Sequence, residues 1–402
     1  MAVNLTAPTE LLPIAGVRLA SVNAGIRYKN RNDVLLMELA EGSTTAAVFT
    51  QNAFCAAPVW ICREHLAVDT PRYLLINAGN ANAGTGELGM RAARTSSEQV
   101  AKLAGCRVQQ VLPFSTGVIG MQLPVEKIDA ALPEAFAKLD ADAWLEASRT
   151  IMTTDTVAKA ISKQLSVDGK TITITGIAKG AGMIHPNMAT MLAYVATDAQ
   201  VDAATLQTCL NAVVDETFNC ITVDGDTSTN DSLVLVATGQ SAIAIEGANV
   251  AAFQAALQEV CLYLAQAIIR DGEGATKFIS VQVQGASTRE EAHIVGNTVA
   301  LSPLVKTALF ASDPNWGRIL AAVGRSPIEN LDVSQVTIWL GDTLLIQQGE
   351  PAPTYREELG QAEMKPAEIT IRIDLGRGNA SATVWTCDFS YDYVKINAEY
   401  RS

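Results

Sequence analysis

Short apolar runs separated by glycine-rich turns constrain the fold of this chain most strongly. The stretch RYLLINAGN at 72–80 begins as a buried strand, and ATMLAYVATD at 189–198 is typical of a fully buried one. Between them, TITITGIAKG at 171–180 alternates Thr with Ile, a pattern that favours a strand. Helical stretches lie between these runs, and such a mixture is typical of a layered protein.

The pattern along the whole chain predicts an α+β fold, a layered sandwich of two packed mixed β-sheets covered by helices, with an αββα order. Hydrophobic residues make up 49% of the 402 residues and charged residues 18%, which suits a large buried core. Helices are predicted near 87–104, 124–139, 141–152, 202–218 and 247–270. Further strands are predicted at 34–49 (as a pair around a Glu-Gly-Ser turn), 111–120, 232–239, 277–285, 335–347 and 367–387.

The charge balance bears on the partners of the protein. The formal net charge is −13 and no basic run is present, so nucleic acid and anionic membranes are not expected as partners. The N-terminal stretch MAVNLTAPTELLPIAG lacks the basic region of a signal peptide, and no apolar run approaches the length of a membrane span. A cytoplasmic protein is therefore expected.

Cysteine and histidine usage supports the same expectation. The seven cysteines are scattered, odd in number and never spaced as CxxC, as expected for reduced thiols. Only three histidines occur, with no HExxH motif and no Cys/His cluster. We therefore expect no metal site.

The stretch KGAGMIHPNMATML at 179–192 joins two predicted strands through an unusual turn. Gly180 and Gly182 allow backbone conformations closed to other residues, and Pro186 restricts its own φ and the residue before it. Such a turn could hold the Thr190 hydroxyl at a fixed point. On the residues alone, a tight structural loop is the simpler interpretation. A phosphate cradle is a weaker one, because the GxxxxGK[ST] order is missing and no helix follows the glycines.

Three other segments are rich in small polar residues. In the turn Ser115-Thr116-Gly117, a hydroxyl and a backbone N–H could point the same way. TVDGDTSTNDS at 222–232 suggests calcium through its carboxylates, but it lacks the terminal Glu of an EF-hand, so a hydrogen-bonded loop under the site is favoured. In DGEGATK at 271–277, Glu273 is either a functional acid or a solvated loop residue.

Eight ordered blocks of this sequence resemble those of the ornithine acetyltransferase family, also called the bifunctional glutamate N-acetyltransferase family. They cover essentially the whole chain, which a chance match of one motif would not. The blocks are NAGNANAGTG (77–86), PFSTGVIG (113–120), IMTTDT (151–156), KGAGMIHPNMATML (179–192), NCITVDGDTSTNDS (219–232), RDGEGATKF (270–278), SDPNWGRILAAVG (312–324) and CDFSYDYVKINAEY (387–400).

This resemblance implies an N-terminal-nucleophile fold and a chain that cleaves itself between Ala189 and Thr190. The products would be an alpha fragment, 1–189, and a beta fragment, 190–402, packed as one catalytic unit. The Thr190 hydroxyl would be the nucleophile, and its freed α-amine, with a reference pKa of roughly 7.7–8.0, the base. His185 is then treated as a loop residue.

Further site residues are implied by the same resemblance. The Thr116 hydroxyl and the Gly117 N–H would form the oxyanion hole. The substrate-binding positions would be Thr154, Lys179, Thr190, Glu273, Asn397 and Ser402. We infer that Lys179 contacts an α-carboxylate and Glu273 the side-chain ammonium of ornithine. The family usually ends in Thr, and Ser402 keeps the hydroxyl.

The implied activity is acetyl transfer from N-acetylornithine to glutamate in arginine biosynthesis, by ping-pong kinetics through an acetyl-threonine. No cofactor is expected, although acetyl-CoA is a candidate second donor. A tetramer of two alpha and two beta fragments is implied. Two alternatives remain at this point. One is a self-processing amidase or aminopeptidase with water as acceptor. The other is a non-enzymatic binding protein whose Gly/Asn motifs serve structure only.

Overall fold

The computed structural model describes residues 2–185 and 191–400. Its strands are, in chain order, β1 (Val17–Val22), β2 (Val34–Leu39), β3 (Thr44–Phe49), β4 (Tyr73–Asn80), β5 (Val111–Val118), β6 (Lys159–Val167), β7 (Lys170–Lys179), β8 (Leu192–Thr197), β9 (Ile221–Thr222), β10 (Ser232–Ala237), β11 (Phe278–Ala286), β12 (Thr337–Leu340), β13 (Thr343–Gln347), β14 (Glu350–Pro351), β15 (Glu368–Asp374) and β16 (Ala380–Cys387). Its α-helices are α1 (Ala57–Leu66), α2 (Gly86–Ala104), α3 (Val125–Ala137), α4 (Trp144–Thr150), α5 (Ala203–Glu216), α6 (Asn249–Arg270), α7 (Arg289–Ala300), α8 (Pro303–Phe310), α9 (Trp316–Gly324), α10 (Glu357–Glu363) and α11 (Tyr391–Ala398).

Two mixed sheets face each other. The first has the order β1-β2-β4-β5 and the second the order β3-β10-β8-β7-β6. Alternate residues of each strand point into the space between the sheets, where Leu35, Leu74 and Phe114 of the first meet Tyr194 and Val234 of the second. The rings of Phe114 and Tyr194 pack edge to face with centroids 5.3 Å apart. These residues form the central core.

Helices cover the outer face of each sheet. On the first sheet, Leu36 and Leu75 pack in one cluster with Val100 of α2 and Leu132 of α3. On the second, α5 and α6 pack over the residues that point away from the first sheet. Because both faces of the second sheet are buried at its centre, β8 and β10 read as nearly continuous apolar runs rather than alternating ones. The predicted helix–sheet–sheet–helix sandwich is confirmed.

A third sheet was not predicted as a unit. It has seven strands in the order β14-β13-β12-β15-β11-β16-β9, and α7, α8 and α9 pack on it around a separate apolar cluster. The sequence indicated most of these strands but not their pairing, which joins segments as distant as 278–286 and 368–374. The connection from α6 into β11 carries Glu273, so this sheet helps to position that residue.

The predicted strand pair at 34–49 is wrong as a pair. Both strands exist, but β2 lies between β1 and β4 in the first sheet, whereas β3 pairs with β10 in the second. The intervening turn, closed by a bond from Ser43 N–H to the Ala40 carbonyl, carries the chain from one sheet to the other. Local alternation cannot distinguish such a crossover from a hairpin, since both give the same pattern.

Helix α6 tests the expectation that no apolar run approaches the length of a membrane span. By length and composition alone, this helix is long and apolar enough to cross a membrane. However, Phe253, Leu257, Val260 and Leu264 are buried in the cluster beneath the second sheet. Its apolar residues therefore serve the core of the sandwich.

Candidate active site

A cavity of about 290 Å³ lies where β5, β7 and the start of β8 meet. The structure brings six of the predicted site residues to its wall: Thr116, Gly117, Thr154, Lys179, Glu273 and Asn397. Met191, which follows Thr190 in the sequence, lines the same cavity. Thr190, Ala189 and Ser402 lie outside the described residues.

Thr116 and Gly117 lie near the end of β5, where the pairing with β4 becomes irregular. Gly117 has φ +136°, and a Cβ on it would lie 2.2 Å from the carbonyl carbon of Gly79. Opposite it the pairing of β4 with β5 shifts register at Asn80. Only glycine fits this close approach. Thr116 and Gly117 both line the cavity at this point.

Lys179, the last residue of β7, connects the two sheets across the cavity. Its Nζ donates a hydrogen bond to Oγ1 of Thr116 at 3.1 Å. Burial lowers the pKa of Lys179, while the carboxylates of Asp155, Asp231 and Glu273 act in the opposite direction. The cavity thus carries an ammonium group within reach of both a substrate anion and Thr116.

A buried ionic cluster lies behind this wall. Lys159 Nζ is 2.6 Å from Asp155 Oδ1 and 2.6 Å from Asp271 Oδ2, and all three side chains are almost completely buried. The Gly180 N–H also donates to Asp155 Oδ1, at 2.7 Å. Burial alone would raise the pKa of Asp155, but the ammonium groups of Lys159 and Lys179 and the Gly180 N–H hold it far below its usual range.

This cluster was not predicted from the sequence. Asp155 and Asp271 lie inside two of the resembling blocks, IMTTDT and RDGEGATKF, so those blocks were the available signal. Lys159 lies outside any block, on β6, a strand that the pattern did not predict. The cluster joins three parts of the site: the loop that carries Thr154, the residue after Lys179, and the residues before Glu273.

Glu273 is not a solvated loop acid, which was one of the two interpretations of its segment. The residue is only 7% exposed, and Asn397 Nδ2 of α11 donates to its Oε2 at 2.8 Å. Its own N–H donates to the carbonyl of Ala181 at 2.8 Å. A Cβ on Gly182 would lie 2.4 Å from the Glu273 carboxyl carbon, so Gly182 leaves room for that carboxylate. Segments far apart in the chain therefore create this site.

The loop at 222–232 is hydrogen-bonded beneath the cavity. The Asp224 carboxylate accepts the N–H groups of Met183 at 2.7 Å and Ile184 at 2.9 Å. Asn230 Nδ2 donates to the carbonyls of Ala81 at 2.6 Å and Ser115 at 2.9 Å. These bonds fix the backbone of the glycine-rich segment and the turn before Thr116. The favoured interpretation of this loop is confirmed.

Asp231 is a cavity residue to which sequence analysis gave no role in the site. It is 2% exposed, and its Oδ2 has no hydrogen-bond partner among the described residues. The next N–H, of Ser232, donates to the Met191 carbonyl at 2.9 Å, so Asp231 lies beside the residue that follows Thr190. Burial raises the pKa of Asp231 well above its usual range, and the opposing effects of Ser228 and Lys179 do not cancel this.

We predict that Asp231→Asn becomes more stable, relative to the parent protein, as the pH rises from 5 to 8. The folded state keeps a proton on Asp231 at pH values where the unfolded state has lost it. The parent therefore loses stability as the pH rises above about 4, by up to about 1.4 kcal/mol per unit for one group. Urea unfolding at pH 5 and pH 8 measures the difference.

Asp226→Asn removes an exposed carboxylate from the same loop and controls for the loss of one charge. An equal stability difference between Asp231→Asn and the parent at both pH values would contradict a protonated Asp231.

Comparison with known proteins gives consistent matches. The model of the ArgJ family matches residues 18–402. The arginine biosynthesis bifunctional protein ArgJ of Methylococcus capsulatus is 58% identical over 396 residues, 98% of this chain and 97% of that protein. The protein of the same name from Pseudomonas fluorescens is 54% identical over 406 residues, with both chains fully covered. The crystal structure of ArgJ from Bacillus halodurans is 44% identical, covers 52% of this chain and 98% of its own, and gives a TM-score of 0.50.

Proposed function

The chain belongs to the ArgJ family, and on this premise we propose that it transfers an acetyl group from N-acetylornithine to glutamate in arginine biosynthesis. Membership confirms the family resemblance found in the eight blocks. One observation carries the proposed reaction: Thr116, Gly117, Lys179 and Glu273 converge on a cavity that Met191, the neighbour of Thr190, also lines. Binding a zwitterionic amino-acid substrate requires a cation and an acid, and stabilising an oxyanion requires a pair of hydrogen-bond donors.

The nucleophile is produced by self-cleavage in this proposal. The Thr190 hydroxyl attacks the Ala189 carbonyl carbon, and the peptide C–N bond breaks as its nitrogen takes up the hydroxyl proton. Water then hydrolyses the resulting ester. This leaves a carboxylate on Ala189 and both a free amine and a free hydroxyl on Thr190.

The two fragments, 1–189 and 190–402, would remain one catalytic unit. Support comes from the second sheet, in which β3, β6 and β7 belong to the alpha fragment and β8 and β10 to the beta fragment. Strand β10 pairs with β3 over six residues, and β7 pairs with β8 over another six. Separating the fragments would break these ladders and expose the central core.

Acetyl transfer would use the same hydroxyl twice. The Thr190 hydroxyl attacks the acetyl carbonyl of N-acetylornithine, while its α-amine takes the hydroxyl proton and passes it to the departing amine of ornithine. The Thr116 hydroxyl and the Gly117 N–H stabilise the oxyanion, and loss of one such donor typically costs about 10²–10³ in rate. Glutamate then attacks the acetyl ester through its own amine, which restores the free hydroxyl.

The remaining site residues would select the substrates. Lys179 binds the α-carboxylate, and Glu273 binds the side-chain ammonium of ornithine, with its carboxylate oriented by Asn397. Thr154 and Ser402 complete the substrate site. Acetyl-CoA is a candidate second donor within the same proposal, and "bifunctional" in the names of the curated relatives supports including it.

The proposed setting is the cytoplasm, with the two amino-acid substrates as ligands and no metal, organic cofactor, nucleic acid or membrane. All seven cysteines are unpaired, which supports a reducing compartment. A tetramer of two alpha and two beta fragments is part of the proposal on family grounds alone.

We predict that N-acetylornithine and labelled glutamate give one labelled N-acetylglutamate for each ornithine released. The reason is that the Thr190 ester passes its acetyl group to an amine bound in the cavity in preference to water. Chromatography of both products over time measures the ratio, with Thr190→Ala as the inactive control. Acetate release at a rate independent of glutamate would instead indicate an amidase. No turnover by an intact chain would indicate a binding protein.

A further inference from the structure

The hydrogen bond between Lys179 and Thr116 has only one possible direction. The two atoms, Lys179 Nζ and Thr116 Oγ1, are 3.1 Å apart. An ammonium group has no lone pair and can only donate, so the Thr116 oxygen accepts. The hydroxyl hydrogen of Thr116 must then point away from Lys179. Thr116 is 8% exposed and lines the cavity, so the cavity is available to that hydrogen.

We propose that Lys179 is a positioning residue for acetyl transfer, which aims the Thr116 hydroxyl hydrogen at the developing oxyanion and strengthens it as a donor. A hydroxyl that accepts from a cation is a more polar donor, because hydrogen bonds in a chain polarise one another. This inference rests on the proposed function. It adds a role to Lys179 beyond binding the α-carboxylate, for which its other two N–H groups remain.

The surroundings of Lys179 hold its backbone in place. The residue ends β7, and the next N–H, of Gly180, is tied to the buried Asp155 carboxylate at 2.7 Å. Since Thr116 belongs to the first sheet and Lys179 to the second, their bond bridges the sandwich at the cavity. A flexible surface lysine would lose conformational freedom to make such a bond, but this one is already restricted.

The charges facing Lys179 favour its protonated form. The carboxylates of Asp155 and Glu273 raise its pKa, as does Asp231 once it has lost its proton, against the opposing effects of burial and of Lys159. Burial is the largest of these effects, and the net pKa lies below that of an ordinary lysine. The Lys179 ammonium should therefore lose its proton, and Thr116 its alignment, at a less alkaline pH than for a surface lysine.

A double-mutant cycle on kcat tests the proposal, with both substrates saturating and rates expressed per cleaved protein on a denaturing gel. We expect Lys179→Met to lower kcat about 10²-fold and Thr116→Val by a similar factor, as for loss of one oxyanion-hole donor. The kcat of the double variant should be no more than about threefold lower than that of the less active single variant, because both changes disable the same hydroxyl. Thr116→Ser, which keeps the hydroxyl, should retain most of the activity.

The pH profile gives a second readout, which a purely structural role would not move. The parent kcat should decline on the alkaline side as Lys179 loses its proton, and Lys179→Met should lack this decline. Lys179→Arg keeps its charge and should move the decline to higher pH. If Lys179→Met is not cleaved, the pH profiles of the parent and of Lys179→Arg carry the test, and an alkaline decline that Lys179→Arg does not move would overturn the proposal.

Two results would overturn the proposal. One is a Lys179→Met variant whose KM for N-acetylornithine rises while kcat is unchanged, since that describes a substrate anchor only. The other is a set of single-variant effects that multiply in the double variant. Failure of the proposed function is distinguishable from both, because the parent protein itself would then transfer no acetyl group to glutamate.

Discussion

Thr190→Ala is expected to run as one intact chain of 42.6 kDa on a denaturing gel and to transfer no acetyl group above background. The methyl side chain of alanine offers no oxygen to attack the Ala189 carbonyl, so neither the cut nor the free α-amine can form. Loss of a nucleophile costs about 10⁶ in rate in a well-studied serine protease, and a comparable loss is expected here.

The parent protein should give two bands in the same experiment, and N-terminal sequencing of one should begin at Thr190. Thr190→Ser is the matched control, because it keeps the hydroxyl and should still yield two fragments. Two fragments from Thr190→Ala, or a fragment that begins elsewhere, would contradict the assignment of Thr190. Mass spectrometry of the parent after incubation with N-acetylornithine should find the acetyl group on the beta fragment.

The sandwich was predictable from the sequence because burial leaves a local trace. Within the runs 72–80 and 189–198, YLLI and MLAYVA are apolar at consecutive positions, a pattern typical of a strand covered on both faces. The crossover between β2 and β3 left no such trace, since its turn resembles that of a hairpin. The third sheet was missed for a related reason: strands can be recognised locally, but their partners are set by contacts across the chain.

The candidate site was predictable from family resemblance, not from the local pattern of residues. Thr116, Gly117, Lys179, Glu273 and Asn397 came from family resemblance, and the structure brings them to one cavity. The residues around Glu273 in the sequence did not decide whether it is a functional acid or a solvated loop residue. Its burial depends on the bare backbone of Gly182 and on the amide of Asn397, two distant segments that no local pattern connects to it.

The burial of Asp231 and Lys159 could not be recognised from the sequence. Asp231 looked like one of three acids in a polar loop, and only the fold shows that it is buried beside Met191 while Asp226 is exposed. Lys159 stands in a strand with few apolar residues, so nothing marked it as a core residue. A buried charge is recognisable only together with its partners, and these lie 4 and 112 positions away.

Lys159→Met should destabilise the protein by about 3–5 kcal/mol at neutral pH, the usual cost of removing one partner from a buried ionic cluster. The variant leaves Asp155 and Asp271 in the core without their cation. The ionised Asp155 stabilises the parent above the pKa it has when unfolded, and this contribution is lost as the pH falls towards its depressed folded value. The gap in stability between parent and variant should therefore narrow below about pH 4, as urea unfolding at pH 7 and pH 3 would measure.

Lys163→Met is the matched control, since Lys163 lies on the same strand and its ion pair with Glu259 is at the surface, with side chains 29% and 66% exposed. Exposed pairs are worth about 0–1 kcal/mol, so this variant should unfold close to the parent. Equal losses in the two variants would show that the buried cluster contributes no special stability.

The cluster also ties Gly180 to Asp155, and its residue Asp271 stands two positions before Glu273. Lys159→Met should therefore lower kcat/KM even under conditions where the variant is fully folded, because Lys179 and Glu273 lose the backbone that positions them.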